Sequence, residues 1–95
     1  MKQPCVYILA SKRNGTLYIG VTSHLIQRVW QHRESLAVGF TNIHGIRQLV
    51  WYEQHATMES ALRREKALKE WQRKWKVKLI ETANPYWRDL YEDLL

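Results

Sequence analysis

Tyr7 and Tyr18 each sit in a short apolar run, "CVYIL" and "TLYIGV", on either side of a Lys-Arg-Asn-Gly tip. A phenol in a strand is ordinary packing unless other polar groups point at it. Arg28 and His32 are one helical turn apart, so a guanidinium and an imidazole can serve a common site. His32 falls in the middle of the apolar stripe made by Leu25, Val29 and Leu36, with Arg28 at its edge. Glu65 lies near the centre of a second apolar face, formed by Met58, Ala61, Leu62 and Leu68. An ionised carboxylate in that position needs a cation to offset the cost of leaving water. Two partners suit it: an arginine, Arg28 or Arg64, or a divalent ion, since Mg²⁺ is held by one or two carboxylates together with waters and substrate phosphate.

Two phenols, an arginine, a histidine and a carboxylate in one polar pocket suit phosphodiester hydrolysis. A metal at Glu65 would polarise the phosphate and the leaving oxygen. Arg28 would neutralise charge developing on the phosphoryl group, and a phenol or imidazole would orient or deprotonate the attacking water. A phenol ordinarily titrates near pH 10, so a base role for tyrosine requires nearby cations to lower that value.

The elements that must position these groups can be read from periodicity. Asn14-Gly15 between the first two runs predicts a hairpin. Any unbulged hairpin with an even number of loop residues puts Tyr7 and Tyr18 on one face, and a tight two-residue loop staggers them along the strands. Thr22 or Ser23 can cap a helix running to about Leu36, with Gly39 at its exit. A third strand is expected over Arg47 to Glu53. Thr57 can cap a second helix that continues to about Trp71, with little to stop it before Lys78. Asn84-Pro85 reads as cap and first position of a short closing helix. The order ββαβα plus a C-terminal helix predicts an α+β fold, a small three-stranded antiparallel sheet flanked by helices.

With 95 residues the chain fits one domain, 1–95, and no second. Its single cysteine, Cys5, excludes an internal disulfide and a cysteine-based metal site, and a reducing cytoplasm is the expected setting. The N-terminal apolar run "CVYILA" is too short for a signal-peptide core or a membrane span. Net charge is +6, and the imbalance is local: Arg63 to Lys78 holds eight basic and two acidic residues, the rest seven of each. Such clustering is the footprint of a polyanion partner, or else a solvated helix face. Trp71 and Trp75, one turn apart, could stack on unpaired bases, but their spacing to Leu68 and Leu79 favours closing the core. Tyr86, Trp87 and Tyr91 read as packing of the last helix.

The ordered set "VYI" at Val6 to Ile8, "YIG" at Tyr18 to Gly20, "LIQRVWQH", "LRREKALKEW" and "NPYWRDL" resembles the GIY-YIG nuclease superfamily, most closely its small stand-alone bacterial members. The resemblance covers nearly the whole chain. It implies metal-dependent cleavage of DNA by a single Mg²⁺ or Mn²⁺ ion. It makes Tyr7 and Tyr18 the motif tyrosines, Arg28 the phosphate-stabilising arginine, His32 a site histidine, Glu65 the metal ligand and Asn84 a supporting asparagine that a helix cap would equally explain. Cys5-Val6 stands where the family name has Gly-Ile, and Lys12, on the hairpin tip, does not match the lysine some members carry after the first motif. No room remains for a separate DNA-recognition domain, so substrate choice would fall to a protein partner, self-association or the shape of the nucleic acid. DNA is favoured over RNA, with structured and single-stranded DNA among the expected substrates. The competing expectation is a non-catalytic nucleic-acid-binding module with a degenerate or very slow site.

Overall fold

The alternating apolar runs pair as an antiparallel hairpin, β1 (Cys5–Ala10) with β2 (Leu17–Thr22), in a computed structural model that describes residues 3–34 and 44–95. Ser11 and Thr16 close the loop, and the turn inside it spans Lys12 to Gly15 with Asn14 left-handed at φ 58°. The loop is longer than a two-residue Asn-Gly turn, but it is even. Tyr7 therefore pairs with Gly20 and Tyr18 with Leu9, so both phenols share one face, staggered along the strands.

β3 (Gln48–Gln54) pairs antiparallel with the other side of β1, giving the order β2-β1-β3 with β1 in the centre and buried throughout. Between Ile8 and Leu9 the register slips: Ile8 opposes Trp51 and Leu9 opposes Leu49, leaving Val50 as the extra residue of a bulge. Helices cover both faces. Helix α1 (Leu25–Arg33) packs Leu25 and Val29 over Cys5, Tyr7 and Leu9, with Ile46 and Leu49 completing that cluster. Helix α2 (Met58–Glu70) and helix α3 (Arg73–Ala83) bury Ala61, Leu68 and Ile80 on the opposite face, against Val6, Ile8, Ala10, Ile19, Val50 and Trp51.

Several boundaries differ from the sequence expectation. Thr22 stays in β2, its Oγ1 accepting from the His24 N–H at 3.0 Å, and His24 becomes the N-cap of α1 without a side-chain cap bond. The expected end near Leu36 and the exit at Gly39 lie outside the described residues. Thr57 caps α2 as expected, accepting from the Ser60 N–H at 3.1 Å. The helix after it does not run on toward Lys78, because Trp71 and Gln72 are both extended, at ψ 148° and 149°. Leu68 and Ile80 are twelve residues apart, about 120° around a continuous helix. The break brings both into one core, which an unbroken helix would not.

The closing segment departs furthest. Asn84 ends α3 as its C-cap instead of starting a helix, Trp87 is left-handed at φ 57°, and only a 3-10 turn follows at Tyr91–Leu94. The segment docks along β3: Leu90 N–H donates to the Leu49 carbonyl at 2.8 Å, and Asp89 accepts from the Leu49 N–H at 3.2 Å. Arg33 of α1 is ion-paired with the same aspartate. Trp87 is buried and Tyr91 half-buried as expected for packing, whereas Tyr86 is 79% exposed.

Candidate active site

Tyr7, Tyr18 and His32 come together between the sheet and α1. Their rings form a triangle, with centroids 6.3 Å apart for Tyr7–Tyr18, 6.1 Å for Tyr7–His32 and 5.5 Å for Tyr18–His32. The Tyr7 hydroxyl lies 3.3 Å from His32 Nε2, a buried contact. Tyr7 and His32 are almost wholly inaccessible, while Tyr18, on edge strand β2, is half-buried. Each position follows from local structure: strand alternation and an even loop for the phenols, and the apolar stripe of α1 for the imidazole.

Gly20 is what lets Tyr7 lie where it does. A Cβ at position 20 would stand 2.4 Å from both Cζ and Oη of Tyr7, so the phenol lies directly on bare backbone. The sequence signal was a glycine inside a strand, which marks a close approach.

Arg28 stands at the rim, exposed, donating to Gln31 Oε1 at 3.2 Å. Burial pushes the Tyr7 phenol up to about 12; hydrogen bonding and charge from Arg28 oppose the rise, and the charges of Tyr18 and Glu65 add to it. Burial also lowers the His32 imidazole below its ordinary value, and the Arg28 cation lowers it further. Tyr7 is therefore protonated and His32 neutral near pH 7.

Glu65 belongs to the helix on the other face, between the buried Ala61 and Leu68, where α2 packs against β2 and β1. Its side chain is 18% exposed and pairs with Lys69 at 3.3 Å. Neither expected arginine takes it. Arg64 instead pairs with Glu53 at 3.1 Å and lies over the Trp71 ring. Leu62, expected on the apolar face, is 49% exposed.

Asn84 is buried and fully engaged with backbone. Its Nδ2 donates to the Val50 carbonyl at 3.1 Å and the Arg88 carbonyl at 2.8 Å, and its Oδ1 accepts from the Arg88 N–H at 3.0 Å. The carbonyl it serves is that of the bulged residue.

Among the described residues no three His, Cys, Asp or Glu side chains gather as a ready metal cage. A single carboxylate, Glu65, whose charge reaches Tyr7 from the other helix layer, suits a hard cation that keeps most of its waters and does not suit a closed zinc-type centre. A cavity of ≈ 640 Å³ lies elsewhere, lined by residues that include His24, Trp30, Tyr52 and Tyr91. It contains none of Tyr7, Tyr18, Arg28, His32 or Glu65. Among the described residues no helix is long and apolar enough to cross a membrane.

The family model of the GIY-YIG catalytic domain matches residues 3–78. A UPF0213 protein of Staphylococcus saprophyticus is 34% identical over 80 residues, covering 84% of this chain and 96% of the relative. A UPF0213 protein of Staphylococcus epidermidis is 32% identical over 81 residues, covering 85% and 98%. The solution NMR structure of a UPF0213 protein from Bacillus halodurans superposes with a TM-score of 0.57 at 25% identity, over 92% of each chain.

Proposed function

Because this chain belongs to the GIY-YIG family, we propose that it is a divalent-metal-dependent endonuclease that hydrolyses phosphodiester bonds in DNA, structured or single-stranded DNA included. The observation that carries the reading is the Tyr7–His32 contact over Gly20, with Tyr18 against both rings and Arg28 and Glu65 within electrostatic reach of the phenol.

Glu65 would hold the cation, Mg²⁺ or Mn²⁺, with waters and substrate phosphate completing the shell. Bound there, the ion supplies Lewis-acid polarisation of the phosphate and stabilises the leaving oxygen. The chain's own groups do the rest. His32, neutral and with its proton on Nδ1, accepts at Nε2 from the Tyr7 hydroxyl. The Tyr7 oxygen, which already accepts from Arg28, would use its remaining lone pair for an attacking water, so a proton passes from water to phenol as the phenol's own proton passes to imidazole. Tyr18 borders this path and restricts where the water sits. Arg28, exposed at the rim, meets the phosphoryl group and offsets charge as it develops. Burial of Tyr7 and His32 keeps bulk water from competing for the relay.

The non-catalytic reading has its own support: Glu65 already has Lys69 as a partner and the Tyr7 phenol is held strongly protonated. Labelled duplex, branched and single-stranded DNA and RNA, incubated with Mg²⁺, Mn²⁺ or EDTA, separate the two. Metal-dependent product that disappears in Glu65→Ala while binding persists is the expected result. Binding without product, at every metal and pH, would leave only the binding module.

A further inference from the structure

Two of the largest apolar side chains outside the site lie in water. Trp71 is 36% exposed and Trp75 49% exposed, against 3% for Trp87 and 6% for Trp51. The core they were expected to close is filled by Leu68, Val77, Leu79 and Ile80 instead. Both indoles stand at the α2–α3 break, and a hollow of ≈ 400 Å³ is lined by the two rings. Each ring already has cations at its face: Arg64 lies 5.3 Å from the Trp71 centroid, and Lys74 and Lys78 lie 5.4 and 5.8 Å from that of Trp75.

We infer that Trp71 and Trp75 form a binding site for unpaired nucleotides, the indoles stacking on successive bases while Lys74 and Lys78 take the adjoining phosphates and Arg64, paired with Glu53, backs the Trp71 ring. The occupant follows from the mixture. An apolar partner would not suit three cations, and a duplex offers phosphates but hides the faces of its bases. A single strand presents flat π-faces and a polyanionic backbone together. The surrounding segment, Arg63 to Lys78, carries the chain's whole charge excess. The inference rests on the nucleic-acid half of the proposed function and not on cleavage.

Trp71 is six residues from Glu65, about 120° around the α2 axis. The stacked nucleotides are thus held on a different flank of that helix from the carboxylate. A strand gripped there reaches Glu65 only by passing around the helix, so the site acts on capture and positioning and its indoles do not touch the reacting phosphate.

The test is metal-free. Fluorescence anisotropy in EDTA would compare labelled oligo(dT), oligo(U), a duplex of equal length and an abasic strand, for wild type, the Trp71→Ala/Trp75→Ala double variant and Trp75→Phe. The double variant should bind both single strands at least about 30-fold more weakly and the duplex within about twofold of wild type. The abasic strand should gain nothing from the indoles, and Trp75→Phe should retain most of the affinity. Equal losses for single strand and duplex would overturn the inference, as would no loss at all. So would a wild-type dimer that the double variant dissolves, which would make the patch an interface between copies. Circular dichroism of the variants checks that the fold persists, and Trp75→Phe keeps the test decisive if the double variant does not fold. Parallel cleavage assays with Mg²⁺ keep the two readings apart. Stacking-dependent binding without product sinks the nuclease reading alone, and product without a stacking effect sinks this one alone.

Discussion

Tyr7 and His32 are both held in their uncharged forms, and that makes a prediction at the level of single residues. Among the groups facing His32 are Tyr7 from β1, Tyr18 from β2 and Arg28 from its own helix, while Glu65 acts on Tyr7 from α2. His32 is lowered in the folded state, so the unfolded chain binds the proton more readily and stability is lost as pH falls below about 6.5. Tyr7 is raised to about 12, so the unfolded chain releases its proton first and stability is lost as pH rises from about 10 to about 12. Melting temperature should therefore form a plateau between these limits. His32→Gln should soften the acid limb and Tyr7→Phe the alkaline one. A curve that neither variant alters would mean the two groups are not buried as described. If the relay operates, His32→Gln should also slow cleavage by about 10²- to 10⁴-fold and remove the part of its acid dependence due to that imidazole.

Among the elements, Asn84 makes the sharpest case. The bulge in β3 leaves Val50 outside the register of the sheet, and Asn84 supplies its carbonyl with a donor while pinning the turn to Arg88. Asn84→Ala should cost about 1–3 kcal/mol for the stranded carbonyl alone, read by urea denaturation. Cleavage per folded molecule should stay near wild type, and a large fall in kcat at unchanged stability would instead put this side chain in the chemistry. The two halves of the chain differed in how legible they were. Alternation and an even loop suffice to align Tyr7 with Tyr18, and 3.6-residue spacing suffices to bury His32. The α2–α3 break was hidden, because no glycine or proline marks Trp71-Gln72 and the cause is the need of Leu68 and Ile80 to share a core. Asn84-Pro85 carried a genuine helix-start signal that the tertiary demand of the Val50 carbonyl overrode. The partner of Glu65 could not be read either, since Lys69, Arg28 and Arg64 are all within plausible reach in sequence and only the packing of α2 sends Arg64 to Glu53.

For the molecule as a whole, the charge count overstates what a polyanion meets. Within Arg63 to Lys78, Arg63 is paired with Glu59, Arg64 with Glu53 and Lys69 with Glu65, and Arg73 donates to the Asn14 and Gly15 carbonyls at the hairpin tip. Lys66, Lys74, Lys76 and Lys78 have no acidic partner among the described residues. Duplex binding should accordingly show a log K against log salt slope of about −3 to −4, the release expected for roughly four phosphate contacts. A slope near −7 would mean that Arg63, Arg64 and Lys69 let go of their carboxylates, and Arg73 of the hairpin tip, on binding. A slope near zero would remove phosphate tracking from the account. The two faces of the sheet differ in kind: α1 and β1 bury the neutral His32 and Tyr7 on one, and α2 and α3 carry most of the cations on the other.

The contact between Tyr7 and Gly20 has a consequence for engineering. A hydrogen atom at the Gly20 α-carbon fixes the height at which the neighbouring oxygen rides, so tolerance there is one-sided. Tyr18 beside it can be trimmed to phenylalanine without pushing anything aside, but position 20 has no room to grow by even a methyl. Directed evolution of this scaffold would have to leave that bare spot alone and seek new reactivity around the rim.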